Sequence, residues 1–130
     1  MADLVDPMKR SSSLQPLSRE HHTALTLAKA CEQAGDKELV GETCQRALQT
    51  FSNGLDPHFQ FDEQSLLPLL LGAATHPLVE RTLTDHQQLR VLLNDLQQND
   101  AGALGSYGKR LLAHVRFEER ELLPVLESLL

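Results

Sequence analysis

The chain has no tryptophan, one tyrosine and only two cysteines in 130 residues. Cys31 and Cys44 are too few for a disulfide framework, and neither belongs to a Cys-x-x-Cys pair. They read as small buried apolar residues rather than a redox couple. No apolar run approaches the roughly 18 residues of a membrane span. The opening stretch Met1–Arg10 lacks the apolar centre of a signal peptide, so a soluble cytoplasmic protein is expected. Positive charge is also short: 12 Lys and Arg against 18 Asp and Glu leave a net charge of −6. Phosphate backbones need clustered Lys and Arg, which argues against a nucleic-acid partner. No alternating β-branched run marks a strand, and no glycine-rich strand–turn–helix offers a nucleotide or flavin site. What remains is a chain long enough for one unstapled core, with an unusual complement of six histidines.

Residues 1–15 carry no periodic apolar pattern and are expected to be a mobile leader; residues 16–130 form the expected domain. From Ser18 onward the pattern is helical. A first segment closes at Gly35, and a second runs from Asp36 to about Leu71 with Val40, Cys44, Leu48 and Phe51 on one stripe. Gly54 and Pro57 should break or kink it, because proline lacks the amide donor and crowds the preceding turn. A third segment runs from about Pro77 to Leu96, and a fourth from about Ala103 to the end. Four amphipathic segments with short connections predict an all-α fold, most simply an up-down-up-down four-helix bundle.

The second and fourth segments share a sentence. HFQFDEQSLLPLL from His58 and HVRFEERELLPVL from His114 agree at seven of thirteen positions. At about 100° per residue, His58 and Asp62 lie about 40° apart on one face, as do His114 and Glu118. Phe51, Leu55, Leu66 and Leu69 share the His58 side, and Leu111, Leu122 and Val125 share the His114 side, so each pair should project into the core. Glu63 and Glu119 fall about 140° from their histidines and are expected to face solvent. Two carboxylates buried among leucines need compensating positive charge. Carboxylate–imidazolium pairs along each helix would provide it; so would a metal, which takes neutral imidazole and ionised carboxylate together.

The other two segments favour the metal. His21 shares a stripe with Leu17, Ala24, Leu25 and Ala28, whereas the stripe of His22 runs through Ser18 and Lys29, so His21 is expected inward with His22 as the alternative. His86 shares a face with Leu83, Leu89 and Leu93. His76 falls in a loop and receives no role. Four imidazoles and two carboxylates form an N/O donor set suited to iron, manganese or zinc, and carboxylates can bridge two ions.

With these residues in view the sequence resembles the hemerythrin-like, HHE cation-binding family. The motifs that carry the resemblance are EHH at 20–22, PHFQFDE at 57–63, DHQQLR at 85–90 and HVRFEERELLP at 114–124. The resemblance implies a four-helix bundle around two iron ions joined by an oxo or hydroxo bridge. His21, His58, His86 and His114 would be terminal ligands, with Asp62 and Glu118 as bridging carboxylates. It implies further that the helix carrying Pro57 continues through a kink. Two positions depart from the family pattern. Arg90 stands where oxygen-carrying relatives have a further histidine, and arginine cannot ligate a metal. Tyr107, on the face of His114, is either a substitute ligand or a core aromatic. Asp62 stands where glutamate is usual, and its shorter reach predicts an asymmetric pair of ions. The function expected is sensing, storage or scavenging of O2, NO or peroxide. The alternatives are a di-iron oxidase or peroxidase, and a metal-free helical interaction module.

Overall fold

A computed structural model describes residues 12–34 and 39–129. Helix α1 spans Gln15–Ala34. Helices α2 (Val40–Thr50) and α3 (Asp56–Phe61) form one continuous rod through a π-helical turn at Phe51–Leu55. That rod ends in a second π turn, Asp62–Leu66, and a short 3-10 turn, Leu67–Leu69. Helix α4 spans His76–Leu96. Helix α5 (Ala101–Phe117) runs through a third π turn, Glu118–Leu122, into α6 (Leu123–Glu127). The described residues are thus all helical in their regular structure, forming four segments that pack as a helical bundle. None of the helices is long and apolar enough to cross a membrane.

Residues 1–11 and the expected start of the second segment at Asp36 lie outside the described residues. Of the leader expected over 1–15, Leu14 is fully buried and Gln15 opens α1. Packing therefore begins ahead of residue 16. His76 starts α4 rather than lying in a loop, and its exposed ring sits 3.0 Å from Glu80. Asp100 caps α5 by accepting from the Ala103 amide.

The three π turns have one cause. Pro57, Pro68 and Pro124 each follow directly on a residue whose amide bonds five positions back: Asp56 to Phe51, Leu67 to Asp62, and Leu123 to Glu118. A proline inside a helix removes the i→i−4 bond and its ring crowds that carbonyl. Widening the preceding turn by one residue accommodates the ring, and at Pro57 the second segment continues through the turn without breaking. The extra residue also shifts the helical phase. Leu70 and Leu126 are buried where an unbroken helix would bury Leu69 and Val125; Leu69 is exposed and Val125 only partly covered. Leu83, expected on the His86 face, is exposed too, and Thr82 takes the buried position.

The core has two apolar clusters. One gathers Ala24, Leu27, Leu55, Phe59, Leu89, Leu111 and neighbours; the other gathers Leu14, Leu17, Leu66, Leu70, Leu122 and Leu126. On α1 the change from one cluster to the other falls around His21, and on the rods carrying the repeat it falls around His58 and His114. A polar layer therefore lies across the bundle with an apolar cap on each side.

Helix α1 packs most extensively on α5, and Gly108 sets that distance. A Cβ there would stand 2.7 Å from the Ala28 carbonyl oxygen and 3.0 Å from Cys31 Cβ. The obstacle is backbone, which cannot swing away. Gly108→Ala should therefore destabilise the metal-free protein by about 1–3 kcal/mol through overpacking, despite the usual helical preference for alanine. Urea denaturation reads this directly.

Candidate metal centre

All six residues singled out from the sequence meet in the polar layer. His21, His58, Asp62, His86, His114 and Glu118 are all buried. His22 is exposed, so His21 is the inward histidine of α1. Two groups of donor atoms, each within 4.8 Å of one another, could hold a metal: Asp62, His86, His114 and Glu118 in one, and His21, His58 and Glu118 in the other. Glu118 belongs to both. Its Oε1 lies 2.8 Å from His21 Nε2 and 3.6 Å from His58 Nε2, and its Oε2 lies 3.0 Å from His114 Nε2 and 3.8 Å from His86 Nε2. Asp62 Oδ2 lies 3.4 Å from His58 Nε2 and 3.7 Å from His86 Nε2.

The donors fit a cation on two observations. Asp62 Oδ2 and Glu118 Oε2 are buried without a hydrogen-bond partner, although orphaned carboxylate oxygens are costly in a low-dielectric interior. In addition, His86 Nε2 and His114 Nε2 face each other at 3.1 Å. Only one proton fits between two such nitrogens, so at least one lone pair points into the layer. Phe59 closes one wall, stacked on His86 with centroids 3.9 Å apart and edge-on to His58 and His114.

The outward nitrogens are engaged as well. His21 Nδ1 meets Glu119 Oε2 at 2.6 Å, His58 Nδ1 meets Glu20 Oε1 at 2.9 Å, His86 Nδ1 meets Glu63 Oε2 at 2.7 Å, and His114 Nδ1 meets Asp85 Oδ2 at 2.9 Å. An ionised carboxylate only accepts, so Nδ1 carries a proton in each case, and Nε2 is the nitrogen turned toward the centre. Glu63 and Glu119 therefore do not face solvent as the helical wheel predicted. Glu119 is 1% exposed and also accepts from Ser18, while Glu63 is partly buried and accepts from Arg90 at 2.9 Å. A wheel drawn around one apolar stripe misses them because each points sideways, at a neighbouring helix. Arg90 ligates nothing; it also approaches Asp56 and lies over the Phe59 ring. Tyr107 takes the core-aromatic role, buried in the larger apolar cluster, where burial and then the nearby Cys31 push its pKa up.

Electrostatics divides the two inner carboxylates. Burial and then the charge of Glu118 push the Asp62 pKa well up. Burial would do the same to Glu118, but the charge of His114 beside it and the N–H of His21 at 2.8 Å hold it well below the usual range. Burial works to lower the His58 pKa, yet Glu118, Glu20 and Asp62 override it and bring it up to about 10. His114 likewise overcomes its burial, through Glu118 and Asp85, and rises to about 9. Without a metal, the layer is a compensated network of imidazolium and carboxylate.

The sequence was compared with curated proteins and solved structures, and none matches. The family model of the hemerythrin HHE cation binding domain matches residues 13–126, which takes in all four helical segments and every donor named above. The chain belongs to the hemerythrin HHE cation binding domain family.

Proposed function

We propose that this layer holds two iron ions in an up-down-up-down bundle, with Glu118 shared between them, and that the centre senses, stores or scavenges a small ligand such as O2, NO or peroxide in the cytoplasm. The observation that carries the reading is the convergence of four imidazole Nε2 atoms on two buried carboxylates that have orphaned oxygens. His86, His114, Asp62 and Glu118 would hold one ion; His21, His58 and Glu118 would hold the other. Manganese or zinc would suit the same donors. When bound, the ions would supply one-electron redox chemistry and open coordination positions, since neither half fills a six-coordinate shell.

The chain's own residues do the rest. The outer carboxylates keep the protons on Nδ1 and leave Nε2 for the ions. Phe59 and the two apolar clusters exclude water and restrict the centre to small uncharged ligands. Arg90, drawn to Glu63, adds no donor to the His86 half. The reading is tested by metal analysis and optical spectroscopy of anaerobically purified protein, before and after addition of O2, NO or peroxide. Two irons per chain and a stoichiometric spectral change are expected. Wild-type protein that takes up no metal contradicts it, and steady turnover of peroxide with an added reductant would mark a peroxidase instead.

A further inference from the structure

We propose that Glu20, Glu63, Asp85 and Glu119 are positioning residues, each serving one half of the centre, so that two of them govern one ion and two govern the other. The inference rests on the two-ion reading above and concerns residues that do not themselves face the ions. All four buried histidines are held at Nδ1 by a carboxylate from a different helical segment. The links form a closed ring. The fourth segment holds the first through Glu119 and His21, and the first holds the second through Glu20 and His58. The second holds the third through Glu63 and His86, and the third holds the fourth through Asp85 and His114.

Each holding residue is adjacent in sequence to a donor of its own segment. Glu20 and Asp85 directly precede His21 and His86, whereas Glu63 and Glu119 directly follow Asp62 and Glu118. A segment therefore presents one donor to the centre and, from the next position, orients a donor of its neighbour. Three of the four are themselves fixed: Glu63 by Arg90, Asp85 by Arg81 at 2.9 Å, and Glu119 by Ser18 at 2.8 Å. Glu20 is 48% exposed, which makes it the least constrained member. A carboxylate behind a ligating imidazole fixes the tautomer and ring orientation and raises ligand basicity. Because His21 and His58 lie in one donor group and His86 and His114 in the other, the ring divides by half. Glu20 and Glu119 act on the first, and Glu63 and Asp85 act on the second.

Cobalt(II) titration of the metal-free protein, followed by visible absorption and by metal content, tests the division. Glu20→Gln and Glu119→Gln should keep one ion at wild-type affinity and bind the other about 10–100-fold more weakly. Glu63→Gln and Asp85→Asn should weaken the opposite ion by a similar factor. The proposal is overturned if the variants bind both ions as tightly as wild type, or if each variant weakens both ions alike, as a general loss of packing would. Glu119 is buried, so its variant is checked by thermal melting before titration. The half-exposed Glu20 gives the same prediction with little risk to the fold. Wild type that binds fewer than two cobalt ions would instead remove the two-ion reading, an outcome visible before any variant is made.

Discussion

Glu118→Ala should abolish binding of both ions, whereas Asp62→Asn should cost chiefly one. Glu118 is the member common to both donor groups, with one oxygen toward His21 and the other toward His114. Asp62 belongs only to the group with His86, His114 and Glu118. The two substitutions should also move the metal-free protein in opposite directions. Glu118 is the buried negative charge that compensates His58 and His114. Removing one partner of such a network leaves charge uncompensated in the core, at a cost of about 3–5 kcal/mol. Asp62 is the carboxylate that burial and Glu118 push toward its protonated form. A neutral amide at that position should leave the metal-free fold at least as stable. Metal content paired with urea denaturation separates the two effects: Glu118→Ala lowers both readouts, and Asp62→Asn lowers only the first.

The second large effect is a reversal of pH dependence on metal binding. In the metal-free protein His58 is raised to about 10 and His114 to about 9, against 6.5 for an unperturbed imidazole. Groups raised in this way contribute stability that is fully present below the unfolded value and is lost as pH climbs through the folded values. Asp62, also raised, contributes in the same direction, and its contribution begins to be lost from the unfolded carboxylate range upward. Glu118 is depressed, so its contribution is present above the unfolded carboxylate range and fades as pH falls through its folded value. The metal-free melting temperature should therefore be highest just above the unfolded carboxylate range and fall toward pH 10. A metal ion, by contrast, requires His58 and His114 to lose their protons. Uptake near neutral pH should release protons, and the apparent affinity for each ion should rise with pH by up to roughly 10-fold per unit, because each half must deprotonate one of the two charged imidazoles. Melting curves across this range, with and without zinc, should diverge as pH rises.

The inward residues were legible because helical periodicity is a strong signal when apolar neighbours mark the buried stripe. His58 with Asp62 and His114 with Glu118 each repeat at four residues beside leucines, and the polar layer contains both pairs. The residues that hold the imidazoles from behind were not legible. Glu119 lies one residue past Glu118 and reads as outward on a single helix, yet α1 covers that flank and buries it against Ser18 and His21. Glu20 and Asp85 carried no signal beyond ordinary surface acids, because their partners lie on other helices. The Leu-Leu-Pro run common to both copies reads as apolar packing in the sequence. In the fold, each proline widens the turn that begins at the inner carboxylate, so Asp62 and Glu118 both stand at the opening of a π turn. Single-residue errors in the buried stripe beyond those turns, Leu69 for Leu70 and Val125 for Leu126, follow from that added residue.

The most direct test of the central claim is a crystal structure of iron-loaded protein with anomalous scattering measured at the iron edge. Two anomalous peaks are predicted in the polar layer, one among Asp62, His86 and His114 and one between His21 and His58, with Glu118 reaching both. Clear density for the six side chains with no anomalous peak among them, or iron bound only elsewhere on the chain, would contradict it.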